Sequence, residues 1–188
     1  MKQSIENYND VELYYLMRSK PETAEKAFAE LYSRYAPRVY AYCRRFLGNR
    51  EDAQDVFQET FVRFYKSINS ERVMTNIPAF ILKIARNLCV NSKRREKPPI
   101  TLEEYMSGHN DRTDTDELLN LIKTALDLLP QEYREMFILR EYDGLSYTEI
   151  AEVAGISIAT VKIRLFRAKQ RIREILAPYL ADLEKNIN

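Results

Sequence analysis

The sequence predicts an all-α protein of two small helical domains joined by a flexible linker, the C-terminal one a helix-turn-helix. Three observations carry that expectation. Only four glycines and seven prolines interrupt 188 residues that otherwise run through long stretches of helix formers. Apolar residues recur at three- and four-residue intervals along those stretches, the spacing of a buried helical stripe. Pro98-Pro99 then stops the pattern, and the segment from Ile100 to about Thr115 is poor in apolar residues and contains Gly108, His109 and Asn110. The expected boundaries are an N-terminal domain at 1–96, a linker at 97–115 and a C-terminal domain at 116–188.

The elements follow in order. Asp10 is a candidate cap for a short helix bearing Val11, Leu13 and Leu16, ending before Pro21. A second helix runs from about Pro21 to Tyr35, with Ala27, Phe28, Leu31, Tyr32 and Tyr35 as its stripe. Pro37 opens a third, carrying Val39, Tyr40, Cys43, Phe46 and Leu47 inward and ended by Gly48. Asn49 caps the next, about Arg50 to Ile68, whose first turn holds Glu51 and Asp52 where the helix dipole favours carboxylates. Its inward residues are Ala53, Val56, Phe57, Phe61, Phe64 and Ile68. Asp52, Asp55, Gln58 and Glu59 share the other side, which serves either as a solvated face or as a surface for a basic partner. After a polar turn from Asn69 to Asn76, Pro78 starts a helix with Phe80, Ile81, Ile84, Ala85 and Leu88 inward. Lys83, Arg86, Asn87 and the run Asn91 to Arg95 lie opposite. Cations and amides side by side suit melted nucleic acid, although a solvated basic helix end reads the same way.

Beyond the linker, Leu118, Leu119, Ile122, Ala125, Leu126 and Leu129 mark an amphipathic helix ended by Pro130, and Tyr133, Met136, Phe137 and Arg140 mark another. Asp143-Gly144 turns the chain into the helix-turn-helix. There Ser146 and Glu149 form a capping box, Ile150, Ala151 and Ala154 give a small inner face, and Gly155 supplies the left-handed turn. Ser157 caps the second helix, on which Val161, Leu165, Ala168 and Ile172 form one buried stripe. Ala159, Lys162, Ile163, Phe166, Arg167 and Gln170 face outward. From Ser157 to Arg173 there are six basic residues and no acidic one. A cationic helix presented this way suits the major groove of DNA; a plain helical hairpin with a solvated basic face is the alternative.

Charge supports two polyanion contacts. The net charge of +1 conceals a balance of +5 over residues 83–97 and +6 over residues 157–173, separated by −5 over residues 98–119. Forty-five per cent hydrophobic and 30 per cent charged residues suffice for packed cores with a soluble surface. Cys43 and Cys89 are isolated within apolar patterns and read as buried reduced thiols. His109 is the only histidine and falls in the linker, so neither a His-based metal cluster nor a His-dependent triad can be assembled. Without a Gly-rich phosphate loop either, an enzyme acting on nucleic acid lacks its parts, and no cofactor and no small-molecule substrate are expected. No N-terminal signal and no long apolar run appear, which predicts a cytoplasmic chain with no direct membrane insertion.

Two motif sets in order now resemble one family. Asp52-Ala-Gln-Asp-Val-Phe-Gln-Glu-Thr-Phe61, Phe80-Ile-Leu-Lys-Ile-Ala-Arg-Asn87 and Arg94-Arg95 lie before the linker. Leu129-Pro130, Arg134, Phe137, Leu139-Arg140, Gly144-Leu-Ser-Tyr-Thr-Glu-Ile-Ala151 and Thr160-Val-Lys-Ile-Arg-Leu-Phe-Arg-Ala168 lie after it. Over about residues 22–175 the chain resembles bacterial sigma factors of the extracytoplasmic function group. The resemblance implies that the N-terminal domain is sigma region 2 and the C-terminal domain sigma region 4. It implies RNA polymerase core enzyme and promoter DNA as partners, with Asp52, Asp55, Gln58 and Glu59 gripping the polymerase. Arg63, Lys83, Arg86 and Asn87 would meet the melted −10 element. Ser157, Thr160, Lys162, Ile163, Arg164, Phe166 and Arg167 would meet the −35 duplex, Thr160 near a phosphate. The acidic linker would thread the polymerase cleft, and an inhibitory anti-sigma factor is a family expectation without a separate sign in the sequence. Phe80 stands where the family usually has tryptophan, Gln54 where glutamate and Asn91 where aspartate are frequent, and Ile163 is more apolar than the usual occupant. The competing function is a stand-alone helix-turn-helix regulator that binds duplex without polymerase.

Overall fold

The computed structural model describes residues 4–69, 74–93 and 114–187, of which 114–120 and 180–187 as backbone alone. Helices are the only regular secondary structure among these residues, with no strand, and the chain divides into two compact units. Arg94, Arg95, His109 and all but the last two positions of the expected linker lie outside the described residues.

In the first unit, α1 (Asp10–Leu16) begins one residue earlier than expected, because Asn9 rather than Asp10 is the cap. The Asn9 side chain accepts from the Glu12 amide at 2.9 Å, and the Asn9 amide donates to the Glu12 carboxylate at 2.8 Å. Asp10 is thereby released for a tertiary role. It accepts from Tyr35 and, at 2.9 Å, from Arg34, whose guanidinium also donates to the carbonyls of Tyr8 and Glu6 and to Glu30. One arginine thus fastens the N-terminal residues onto α2. Burial, and then the hydrogen bond to Asp10, raise the Tyr35 phenol above its ordinary pKa.

Helix α2 (Pro21–Leu47) corrects the expectation of two helices: it runs unbroken through Pro37. Proline cannot donate to the carbonyl four residues back, here that of Ser33. Both residues are exposed, so water can serve that carbonyl. Meanwhile Ala27 and Leu31 before the proline and Val39, Tyr42, Cys43 and Phe46 after it bury one continuous face. Tertiary burial over 27 residues outweighs one missing hydrogen bond. Tyr32 is exposed and Phe28, Tyr35 and Tyr40 half-buried, so the first expected stripe is only partly interior.

Helix α3 (Arg50–Lys66) starts as expected, the Asn49 side chain accepting from the Asp52 amide at 3.0 Å. Ala53, Val56, Phe61, Phe64 and Ile68 are buried, while Phe57 is half-buried beneath Tyr32 and Tyr40. Thr60, absent from the expected stripe, is buried because its hydroxyl donates to the Val56 carbonyl at 2.7 Å. Helix α4 (Ile77–Lys93) starts at Ile77, one residue before Pro78, with the Asn76 side chain accepting from the Ala79 amide. Its innermost row is Ile77, Ile81, Ala85 and Cys89, joined by Leu82; Phe80, Ile84 and Leu88, expected inside, are half-buried rims. The helix packs against both α2 and α3, and that pair of neighbours sets the rotation. Both cysteines are buried thiols rather than disulfides, as expected.

In the second unit, α5 (Asp114–Asp127) begins within the last two residues of the expected linker. Leu126 and Leu129 meet Ala168 in a core that Ile122, Tyr133, Phe137 and Ile172 flank. Helix α6 (Gln131–Phe137) continues into a π-helical turn over Ile138–Tyr142, closed by the Asp143 amide donating to the Ile138 carbonyl. Met136 before that turn and Ile138 and Leu139 within it are fully buried. Helices α7 (Tyr147–Ala154) and α8 (Ile158–Ile187) follow, α8 continuing through Pro178. No helix among the described residues is long and apolar enough to cross a membrane.

Candidate nucleic-acid interface

The helix-turn-helix is assembled by local chemistry that the sequence announces. Ser146 and Glu149 cap α7 reciprocally, at 3.2 and 2.8 Å. Gly144 and Gly155 both take positive φ, +67° and +69°, where a side chain would be strained. The Ser157 hydroxyl accepts from the Thr160 amide at 3.1 Å and shares a second hydrogen bond with the Thr160 hydroxyl. Both hydroxyls expected at the duplex are therefore engaged in the cap. Val161, Leu165 and Ala168 are buried and Ile172 half-buried, the expected stripe, while Val153 joins Ile150 and Ala154 on the inner side of α7 in place of Ala151.

Burying that stripe turns the opposite face outward. Lys162 and Arg167 are exposed, Ile163 retains 53% and Phe166 69% of its surface, and Lys162 has no ion pair among the described residues. Four other cations are tethered. Arg164 is half-buried and paired with Glu132 at 2.8 Å; Lys169 pairs with Glu141 at 2.8 Å. Arg171 pairs with Glu174 at 3.0 Å, and Arg167 donates to the Tyr133 hydroxyl at 3.2 Å. That hydrogen bond raises the Arg167 pKa above its usual value and holds at one end a side chain that is cationic in any case. Sequence reasoning placed Tyr133 in the core and gave Glu132 no role. No local spacing links either to α8, since the pairing crosses 30 or more positions and exists only once α6 packs on α8.

Arg140, read in the sequence only as part of a helix and of a motif, has a tie that was not foreseen. It donates to the Leu145 carbonyl at 2.8 Å and lies 5.1 Å from the Tyr147 ring centroid, which pins the turn leading into α7. The helix-turn-helix is thus anchored at its entry by one arginine and along its second helix by three polar ties.

In the first unit the expected sites fall on two helices. Asp55 and Gln58 are exposed on α3, whereas Asp52 is half-buried and accepts from the Asn49 amide nitrogen that faces it across the cap. Glu59 pairs with Arg63 one turn later at 2.6 Å, both exposed. A residue expected at the protein partner and one expected at DNA are therefore each other's neighbours. On α4, Asn87 is exposed and Lys83 and Arg86 half-buried, with Arg86 donating to the Asn87 side chain at 3.3 Å. The half-buried Phe80 and Ile84 lie beside Lys83 and Asn87, an arrangement of ring, cation and amide that can meet an unstacked base.

Residues 31–98 match the family model of Sigma-70 region 2, and residues 119–172 that of Sigma-70, region 4. The ECF RNA polymerase sigma factor SigW of Bacillus subtilis is 31% identical over 168 residues, covering 81% of this chain and 90% of its own. An ECF RNA polymerase sigma-E factor of Haemophilus influenzae is 32% identical over 172 residues, with coverage of 83% and 90%. Among solved structures, CnrH in complex with the cytosolic domain of CnrY matches with a TM-score of 0.70 at 22% identity, covering 90% of this chain and 97% of that one. RpoE in complex with the anti-sigma factor NepR, from Bartonella quintana, matches at 0.63 and 24% identity, covering 81% and 98%. At these identities the structural likeness concerns the fold.

Proposed function

The chain belongs to the extracytoplasmic function group of RNA polymerase sigma factors, and from that premise we propose how its two units divide the work of promoter-specific initiation. The second unit reads the −35 element as duplex. Lys162, Ile163, Phe166 and Arg167 enter the major groove, with Ser157 and Thr160 at its rim and Arg164 setting the pitch of the helix through Glu132. The first unit holds the melted −10 element against Lys83, Arg86 and Asn87, with Arg63 on the backbone nearby. Asp52, Asp55, Gln58 and Glu59 grip the core enzyme. The protein carries no chemistry of its own; the polymerase performs nucleotidyl transfer in the cytoplasm. An anti-sigma protein that covers these faces belongs to the same proposal.

The observation that carries this reading is the outward face of α8, where two cations flank two exposed apolar side chains on a helix capped and tethered from behind. Neutralising phosphates supplies affinity there, and a rigid helix supplies register. Dividing the promoter between two linked units raises the effective concentration of each contact. Reconstitution with core polymerase tests it: the complex should initiate from a cognate promoter, whereas the protein alone should not. Failure to bind core enzyme, or binding without promoter-dependent transcripts, defeats the proposal.

A further inference from the structure

The outward stripe of α8 is unusual in what stands at its centre. Ala159, Ile163, Phe166 and Gln170 follow one another at i, i+4, i+7 and i+11, a single line along the helix. Lys162 and Arg167 flank it on either side. The cations are therefore placed for the two phosphate walls of a groove, and the apolar side chains for its floor. An exposed isoleucine and an exposed phenylalanine cannot exchange hydrogen bonds with base edges. The apolar group that base pairs present in the major groove is the C5 methyl of thymine.

We propose that Ile163 and Phe166 read thymine methyl groups, so that the duplex this protein selects carries thymines at the two positions under them. This rests on the duplex-reading role given above to α8 and adds the class of base it selects. Charge favours DNA over a protein as the occupant: within residues 157–173 all six charged side chains are basic. Burying one methyl against an apolar side chain is worth about a fourfold change in affinity, enough to discriminate a base without any hydrogen bond.

The test uses the full-length chain and a pool of short duplexes of randomised sequence. The enriched duplex is rebuilt with deoxyuridine replacing each thymine in turn, which removes the methyl and leaves base pairing intact. Affinity should fall about fourfold at one or two thymines and stay level at the rest. Ile163→Ala or Phe166→Ala should each abolish the sensitivity at one of those positions; both side chains are exposed, and far-UV circular dichroism verifies that the helix persists. An enriched duplex indifferent to uracil throughout overturns the inference and leaves duplex reading intact. Alanine variants that bind the duplex as tightly as wild type overturn it too, and assign the pair to a protein contact. If the pool yields no enriched sequence, duplex reading fails and takes the inference with it.

Discussion

The outer faces of α3 and α8 are built on opposite plans. On α8 two of the proposed DNA-facing cations are held from behind by α6, Arg164 by Glu132 and Arg167 by Tyr133, with Lys169 tied to Glu141 further along. On α3 the polar ties are local, Glu59 to Arg63 within one helix and Asn49 to Asp52 within its cap, and Asp55 and Gln58 project into solvent. Base edges sit at fixed positions in a groove, so a reader gains by losing its side-chain freedom before binding. A charged protein surface tolerates looser groups, because complementary potentials steer and orient the encounter. The contrast fits a rigid reader of DNA on one unit and an adaptable grip for polymerase on the other.

The largest test of that contrast is Asp55→Arg. An exposed carboxylate on a polymerase grip should cost about a hundredfold in core-enzyme affinity on reversal, by fluorescence anisotropy, without lowering the unfolding midpoint. An unchanged affinity would return this face to solvent. Arg167→Glu should weaken duplex binding by about tenfold or more and reduce the slope of log K against log salt by about one, since a phosphate or base contact is lost. A preserved slope removes Arg167 from the interface.

Tyr133→Phe probes the tethering itself. Losing one hydrogen bond should weaken duplex binding about threefold to tenfold, and the loss should vanish in an Arg167→Ala background. An undiminished loss in that background means Tyr133 acts by another route. The smallest effect concerns the first unit's own frame. Tyr35→Phe should cost about 1 kcal/mol at neutral pH by urea titration. Because burial and Asp10 raise the folded phenol's pKa, its stabilisation is complete below pH about 10, the unfolded value, and fades as the pH climbs further. The gap between wild type and variant should therefore narrow in alkali; a constant gap denies the link to Asp10.

Legibility differed with range. The Ser146–Glu149 box, the Gly155 turn, the Ser157 and Asn49 caps and the Val161–Leu165–Ala168 stripe were readable because each depends on residues within about one helical turn. Pro37 misled, since a proline usually opens or ends a helix, and only the shared buried face before and after it carries α2 through. The phase of α4 was off by one flank, since its wide apolar arc admits several rotations until α2 and α3 cover it. Asp10 was read as a cap when Asn9, next to it, does that work and frees Asp10 for Arg34 and Tyr35.

By itself the sequence determined the helical class, the capped helix-turn-helix, the segregation of charge and the identity of the residues on each outer face. Those properties arise from spacing along one element, where backbone geometry alone says which side chains share a side. The tertiary structure decided which of those residues are held and which are free. Tyr133 and Glu132 reach Arg167 and Arg164 across more than 30 positions, and no periodicity encodes a contact between two helices before they pack.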